Sequence, residues 1–104
     1  MTRIEAEKYI NLCESEFFTG SHSVSFITND LQTRKAFDAY SPLISNPRQT
    51  NELWQKKQVY FETFNNAVVT LNYILTEFPN SEWNTRCKIC KNKIDELRNL
   101  VQNF

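Results

Sequence analysis

Apolar residues recur along this chain at intervals of three and four, the repeat that lines one side of an α-helix. In the first segment Ala6, Ile10, Cys13 and Phe17 keep that spacing, and Tyr9 widens the stripe. Thr2 and Glu5 stand three apart, as a capping box requires. Gly20, the only glycine, sits where a left-handed residue would close a helix. The pattern predicts a helix from Thr2 to about Phe18. The Ser- and Thr-rich run at 19–30 breaks it, and there Val24 and Phe26 alternate with serines. That alternation predicts a short extended segment, which cannot form a sheet alone. Asp30 is placed to cap a short helix from Leu31 to about Tyr40, ended by Pro42.

The longest signal follows. Asn46, Pro47 and Gln49 suit the N-cap, first and third positions of a helix, and no Gly or Pro intervenes before Pro79. Leu53, Tyr60, Phe64, Val68, Leu71, Leu75 and Phe78 keep the spacing, with Lys57 the single polar intruder. Trp54, Phe61, Ala67 and Ile74 flank that line and widen the apolar face to roughly 160°. A face so broad touches two neighbours, so this is the predicted central helix. Running from Pro47 to Phe78 it would be roughly 48 Å long. That exceeds a compact domain of this size, which predicts a bend near 55–58 or an overhang used in assembly. Val69 and Tyr73 fall on its back, where a third helix is expected to cover them. Pro79 stops it, and Asn80 or Ser81 is placed to cap a last helix. There Trp83, Cys87, Cys90, Ile94, Leu97, Val101 and Phe104 alternate steps of four and three, the mark of a helix lying nearly antiparallel to its neighbour. Lys91 with Asp95, and Lys93 with Glu96, have salt-bridge spacing on its outer face. The expected architecture is all-α: a small bundle of three to four helices built on a C-terminal antiparallel hairpin, with an extended segment at 19–30.

Composition narrows this further. A length of 104 residues predicts a single domain over 1–104. Eight Phe, four Tyr and two Trp argue against disorder, and one Gly with three Pro argues against a many-stranded sheet. Twelve basic and twelve acidic residues cancel. They are unevenly spread, because residues 1–30 hold Arg3 and Lys8 against Glu5, Glu7, Glu14, Glu16 and Asp30. Neither part has the basicity of a nucleic-acid binder. Arg86, Lys88, Lys91 and Lys93 spread around their helix instead of forming one ridge. Acidic residues interrupt every place for the apolar core of a secretory signal. The most apolar stretch, Val68 to Leu75, is too short to span a bilayer. A cytoplasmic protein with reduced thiols and no membrane contact is expected.

The candidate chemistry is sparse. Cys87 and Cys90, with Cys13 and His22, make up a four-ligand zinc inventory. All three cysteines lie on apolar stripes, however, so core packing without a cofactor is the expectation. His22, the only histidine, has no Ser, Cys or Asp placed beside it by sequence and is expected in an exposed loop. No enzyme is expected. Glu14 and Glu16 occupy the last turns of the first helix, where the macrodipole disfavours anions. With Asp30 they would form an acidic patch complementary to a basic partner. The leading expectation is a non-catalytic protein-binding domain, an intracellular inhibitor or immunity-type protein that covers the active site of another protein. A basic enzyme such as a nuclease toxin is the sharpest case, contacted through Glu14, Glu16, His22, Asp30 and Tyr73. Two alternatives stand beside it. One is a self-associating structural or adaptor subunit, a homodimer joined at Trp54 and Lys57. The other is a zinc-stabilised or nucleic-acid-binding helical module.

Overall fold

The computed structural model describes residues 1–40, 51–79 and 82–104. It is an all-α bundle of four helices: α1 (Arg3–Phe18), α2 (Val24–Tyr40), α3 (Glu52–Glu77) and α4 (Trp83–Gln102). The predicted caps at Asn46, Pro47 and Gln49, the stop at Pro42, and the caps at Asn80 and Ser81 lie outside the described residues. Among the described residues there is no strand, which corrects the extended segment expected at 19–30. Val24 and Phe26 begin α2, and Asp30 lies inside that helix instead of capping one. The alternation of Val24 and Phe26 spans too few residues to define a repeat. The true repeat joins Ile27 and Leu31, which are buried, to Ser23 one turn earlier.

The hairpin of α3 and α4 forms the spine. Tyr60, Phe64, Ala67, Leu71 and Ile74 of α3 are buried against Trp83, Cys87, Cys90, Ile94, Leu97 and Val101 of α4 and the inner faces of the other helices. Each fully buried Leu or Ile contributes about 1.5–3 kcal/mol by leaving water. α1 packs mainly on α4, and α2 mainly on α3. The two run end to end along the hairpin, so the cross-section is three helices at every level reached by α4. The molecule measures 58 × 21 × 20 Å.

Local signals position these elements. Thr2 accepts from the Glu5 amide while the Glu5 carboxylate accepts from the Thr2 amide, closing the predicted capping box. α3 has no cap from its own Asn51 side chain. Instead Asp38 of α2 accepts from the amides of Glu52 and Leu53 at 2.9 and 3.0 Å, so one helix caps the next. α3 begins at Glu52, which corrects the predicted start at Pro47, and runs unbroken through 55–58, so there is no bend there and its first turn extends past the end of α4. Lys57 reaches the Gln102 carbonyl at 3.4 Å, placing a cation at the C-terminal end of α4. That explains the polar intruder in the α3 stripe. Trp54 lies beyond this point, where α4 has ended, and is 63% exposed. Val69 and Tyr73 are also exposed, which corrects the expectation that a helix covers them.

The turn between α1 and α2 is tight. The amides of Thr19 and Gly20 both donate to Ser15 O, and the His22 amide to Glu16 O. Gly20 is required by close approach and not by a left-handed backbone: a Cβ there would lie 2.8 Å from Glu16 Cα and 3.1 Å from Ser15 O.

Candidate functional site

The charged residues singled out by sequence divide between the two flanks of α1. Positions 14 and 16 are 200° apart on a helix. Glu14 turns to α4, where Arg86 donates to it from Nε at 3.0 Å and Nη2 at 2.5 Å. The same guanidinium reaches Glu7 at 3.1 Å and Asn11 at 2.7 Å, and the Trp83 indole N–H donates to Glu7. Hydrogen bonds from Arg86 hold the Glu14 carboxyl below its ordinary range, and those bonds raise the Arg86 pKa in turn. This clamp draws α1 onto α4.

Glu16 faces the other way. Its Oε2 accepts from Ser21 Oγ at 2.6 Å and lies 3.2 Å from His22 Nδ1. Hydrogen bonds from Ser21 and then His22 lower the Glu16 pKa. His22 is half-buried, which corrects the exposed loop position expected for it. Its ring lies 5.9 Å from Phe17 and meets Tyr60 edge-on at 6.1 Å. Tyr60 donates to Asp30 Oδ2 at 2.6 Å, Arg34 donates to Asp30 Oδ1 at 3.0 Å, and Arg34 also reaches Glu52 at 2.7 Å. Lys56 stands 4.0 Å from Asp30 and over the Tyr60 ring. For Asp30 burial alone would raise the pKa, but the bonds from Tyr60 and Arg34 outweigh it and the carboxyl is lowered. Burial, reinforced by Asp30, raises the Tyr60 phenol.

His22 and Asp30 therefore meet Tyr60, with Glu16 joined through His22, while Glu14 does not join them. The single acidic patch expected from sequence is corrected to separate carboxylates, each held by its own cation or hydrogen-bond donor. Tyr73 lies further along α3, beside Glu77, whose charge raises its phenol pKa. The network's hubs are Tyr60, Arg34 and Arg86: the sequence places Tyr60 in the apolar stripe of α3 and Arg86 in a basic run spread around α4, and gives Arg34 no signal.

Because α1 is drawn to α4, a cleft opens between α1 and α3. It encloses about 270 Å³. Cys13 and Ala67 form its floor, Tyr9, Leu12 and Phe17 its apolar walls, and Glu16 and His22 part of its rim. A second hollow of about 270 Å³ lies between α2 and α3 at Asp30, Arg34, Phe37 and Glu52. The cysteines are core residues: Cys87 and Cys90 are fully buried and Cys13 nearly so, all as free thiols. Burial pushes Cys13 up to about 11 and Cys90 to about 12. Among the described residues no group of three His, Cys, Asp or Glu side chains is placed to hold a metal ion, so Cys13, His22, Cys87 and Cys90 do not form a ligand set. No helix among the described residues is long and apolar enough to cross a membrane. No protein-family profile, curated protein or solved structure matches the chain.

Proposed function

We propose that this protein is a non-catalytic binding module of the inhibitor or immunity type, which acts on another protein by covering part of its surface. The observation that supports this reading is the side of the molecule turned away from α4. There Leu12, Phe26, Phe37 and Val59 are 55, 56, 55 and 50% exposed, along both edges of the seam that α1 and α2 form with α3. Four large apolar side chains along one side supply anchors of the kind that protein interfaces use. The charged groups beside them are paired within the chain, so their contribution is to register and approach instead of to bulk affinity. A small basic enzyme is the partner class this reading carries over from Glu16 and Asp30, the two carboxylates of the expected patch that are not engaged by Arg86 as Glu14 is.

The test is affinity capture of the tagged protein from its native cells, run beside a Phe26→Asp/Phe37→Asp double variant. The expected result is one stoichiometric partner that the variant loses, and whose activity falls when the purified chain is added. Recovery of the chain alone, or an identical set of proteins with the variant, would sink the proposal. Trp54, exposed past the end of α4, favours self-association as the second reading, with the Lys57 side beside it.

A further inference from the structure

We infer that the α1–α3 cleft is a binding site for a small organic cation, a primary ammonium carried on an aryl or branched alkyl body. The inference goes beyond the binding-module reading and does not depend on it.

Shape comes first. The cleft exists because two small residues, Cys13 and Ala67, face each other where larger side chains would close the gap, and because the Arg86 clamp holds α1 towards α4. It is short. Tyr9 reaches Thr70 at one end, and His22 abuts Tyr60 at the other. Residues 63–70 of α3 span only about 10 Å at the helical rise. That is too short for a docked helix, and about 270 Å³ suits a compact body somewhat larger than benzene.

Charge comes second. Glu16 is the only Asp, Glu, Lys or Arg lining the cleft. Its carboxylate is fixed on the rim by Ser21 and His22, and those donors keep it ionised. Arg34 and Lys56 are engaged at Asp30, on the far side of Tyr60. An anion entering the cleft would meet Glu16 with no lysine or arginine among the lining residues, whereas an ammonium would meet a fixed carboxylate beside an aromatic wall. Half-buried Tyr9 supplies the face on which an aryl group packs and towards which a cation is attracted, and Phe17, 4% exposed, backs the wall.

The experiment is an amide-resolved NMR titration of the intact protein at a fixed, near-neutral pH. The probes are 2-phenylethylammonium, 3-phenylpropionate and 3-phenyl-1-propanol, which share a body and differ in charge. The expected result is saturable binding of the ammonium, with shifts concentrated at residues 9–17 and 63–70, and binding of the carboxylate at least tenfold weaker. Glu16→Gln should remove most of that preference. Leu12→Lys, a change at an exposed position, should weaken the ammonium at least fivefold by presenting a rival cation one turn from Glu16. Both variants should keep the native helical circular dichroism. Equal binding of the three probes, shifts elsewhere, or no saturation would overturn the inference. So would equal binding of N-acetyl-lysine methylamide, which would transfer the site to a partner's lysine.

Discussion

Arg86 shows how a residue's meaning depends on partners far away in sequence. Glu14 sits where the α1 macrodipole disfavours it, and that misplacement alone suggests an external basic partner. The structure supplies the cation internally from a residue 72 positions later. Glu16, equally misplaced, is satisfied by Ser21 and His22 in the turn that follows. Arg86 and Glu14 are about one-third exposed, so their pair is worth little by charge alone. The further bonds that Arg86 donates to Glu7 and Asn11 make a network, which strengthens the contribution. Arg86→Met should therefore cost about 1–2 kcal/mol at neutral pH. The pH dependence follows from the lowered Glu14 pKa: its stabilisation is present above the unfolded carboxyl value and is lost as pH falls through the folded one. The gap between wild type and variant should thus narrow below about pH 4. Urea unfolding at neutral and acid pH measures it. A gap that stays constant would assign Arg86 to packing alone.

At the scale of elements, the turn from α1 to α2 governs most else. It reverses no direction. It breaks one long helical path so that α1 leans on α4 while α2 shifts to α3. Gly20 permits this because its hydrogen stands where a Cβ would strike the Glu16 backbone. Gly20→Ala should destabilise by about 2 kcal/mol, since the struck atom is main chain and cannot rotate away. For a chain of this size that is a fall in Tm of roughly 10 °C. Thermal unfolding beside Ser21→Ala, which leaves the backbone path free, separates strain from the lost hydroxyl bond. If Gly20→Ala matched or exceeded wild type, as the reduced entropy of its unfolded chain would allow, the turn would not be tight. The same elements show what the sequence makes legible. The stripes of α1 and α4 name their buried residues directly, because each helix keeps its buried residues on one apolar side at three- and four-residue steps. The face of α3 is also legible, although burial takes in Ala67 and Ile74 at the edge of the apparent stripe and leaves Val68 and Leu75 only partly buried. The start of α2 is not legible, since a tight turn stabilised by Ser15 and Glu16 carbonyls leaves no periodic trace. The cleft was equally hidden: it arises from where α1 leans, which an arginine on another helix decides.

For the whole molecule, length is the property that links fold to assembly. The radius of gyration is 16.9 Å, against about 13 Å for a compact chain of this length. The excess comes from stacking α1 and α2 end to end and from carrying α2 and α3 past the end of α4. This leaves two distinct sites for association, with different consequences. The side lined by Leu12, Phe26 and Phe37 would bury a partner lengthwise. The end at Trp54 would join two copies tip to tip, because Gln102 already occupies the adjacent Lys57. Scattering at increasing concentration distinguishes them without knowledge of any partner. Under the binding-module reading the isolated chain stays monomeric, and its radius of gyration remains near 17 Å throughout. A rise to about 30 Å would be the value for rods joined at their ends, whereas about 20 Å would indicate pairing along their sides. The first rise, abolished by Trp54→Ser, would make the overhang an assembly device and move the weight to a structural subunit. The second, abolished by Phe26→Asp, would make the apolar side a homodimer interface, and a heterologous partner would then have to displace the second copy before it could bind.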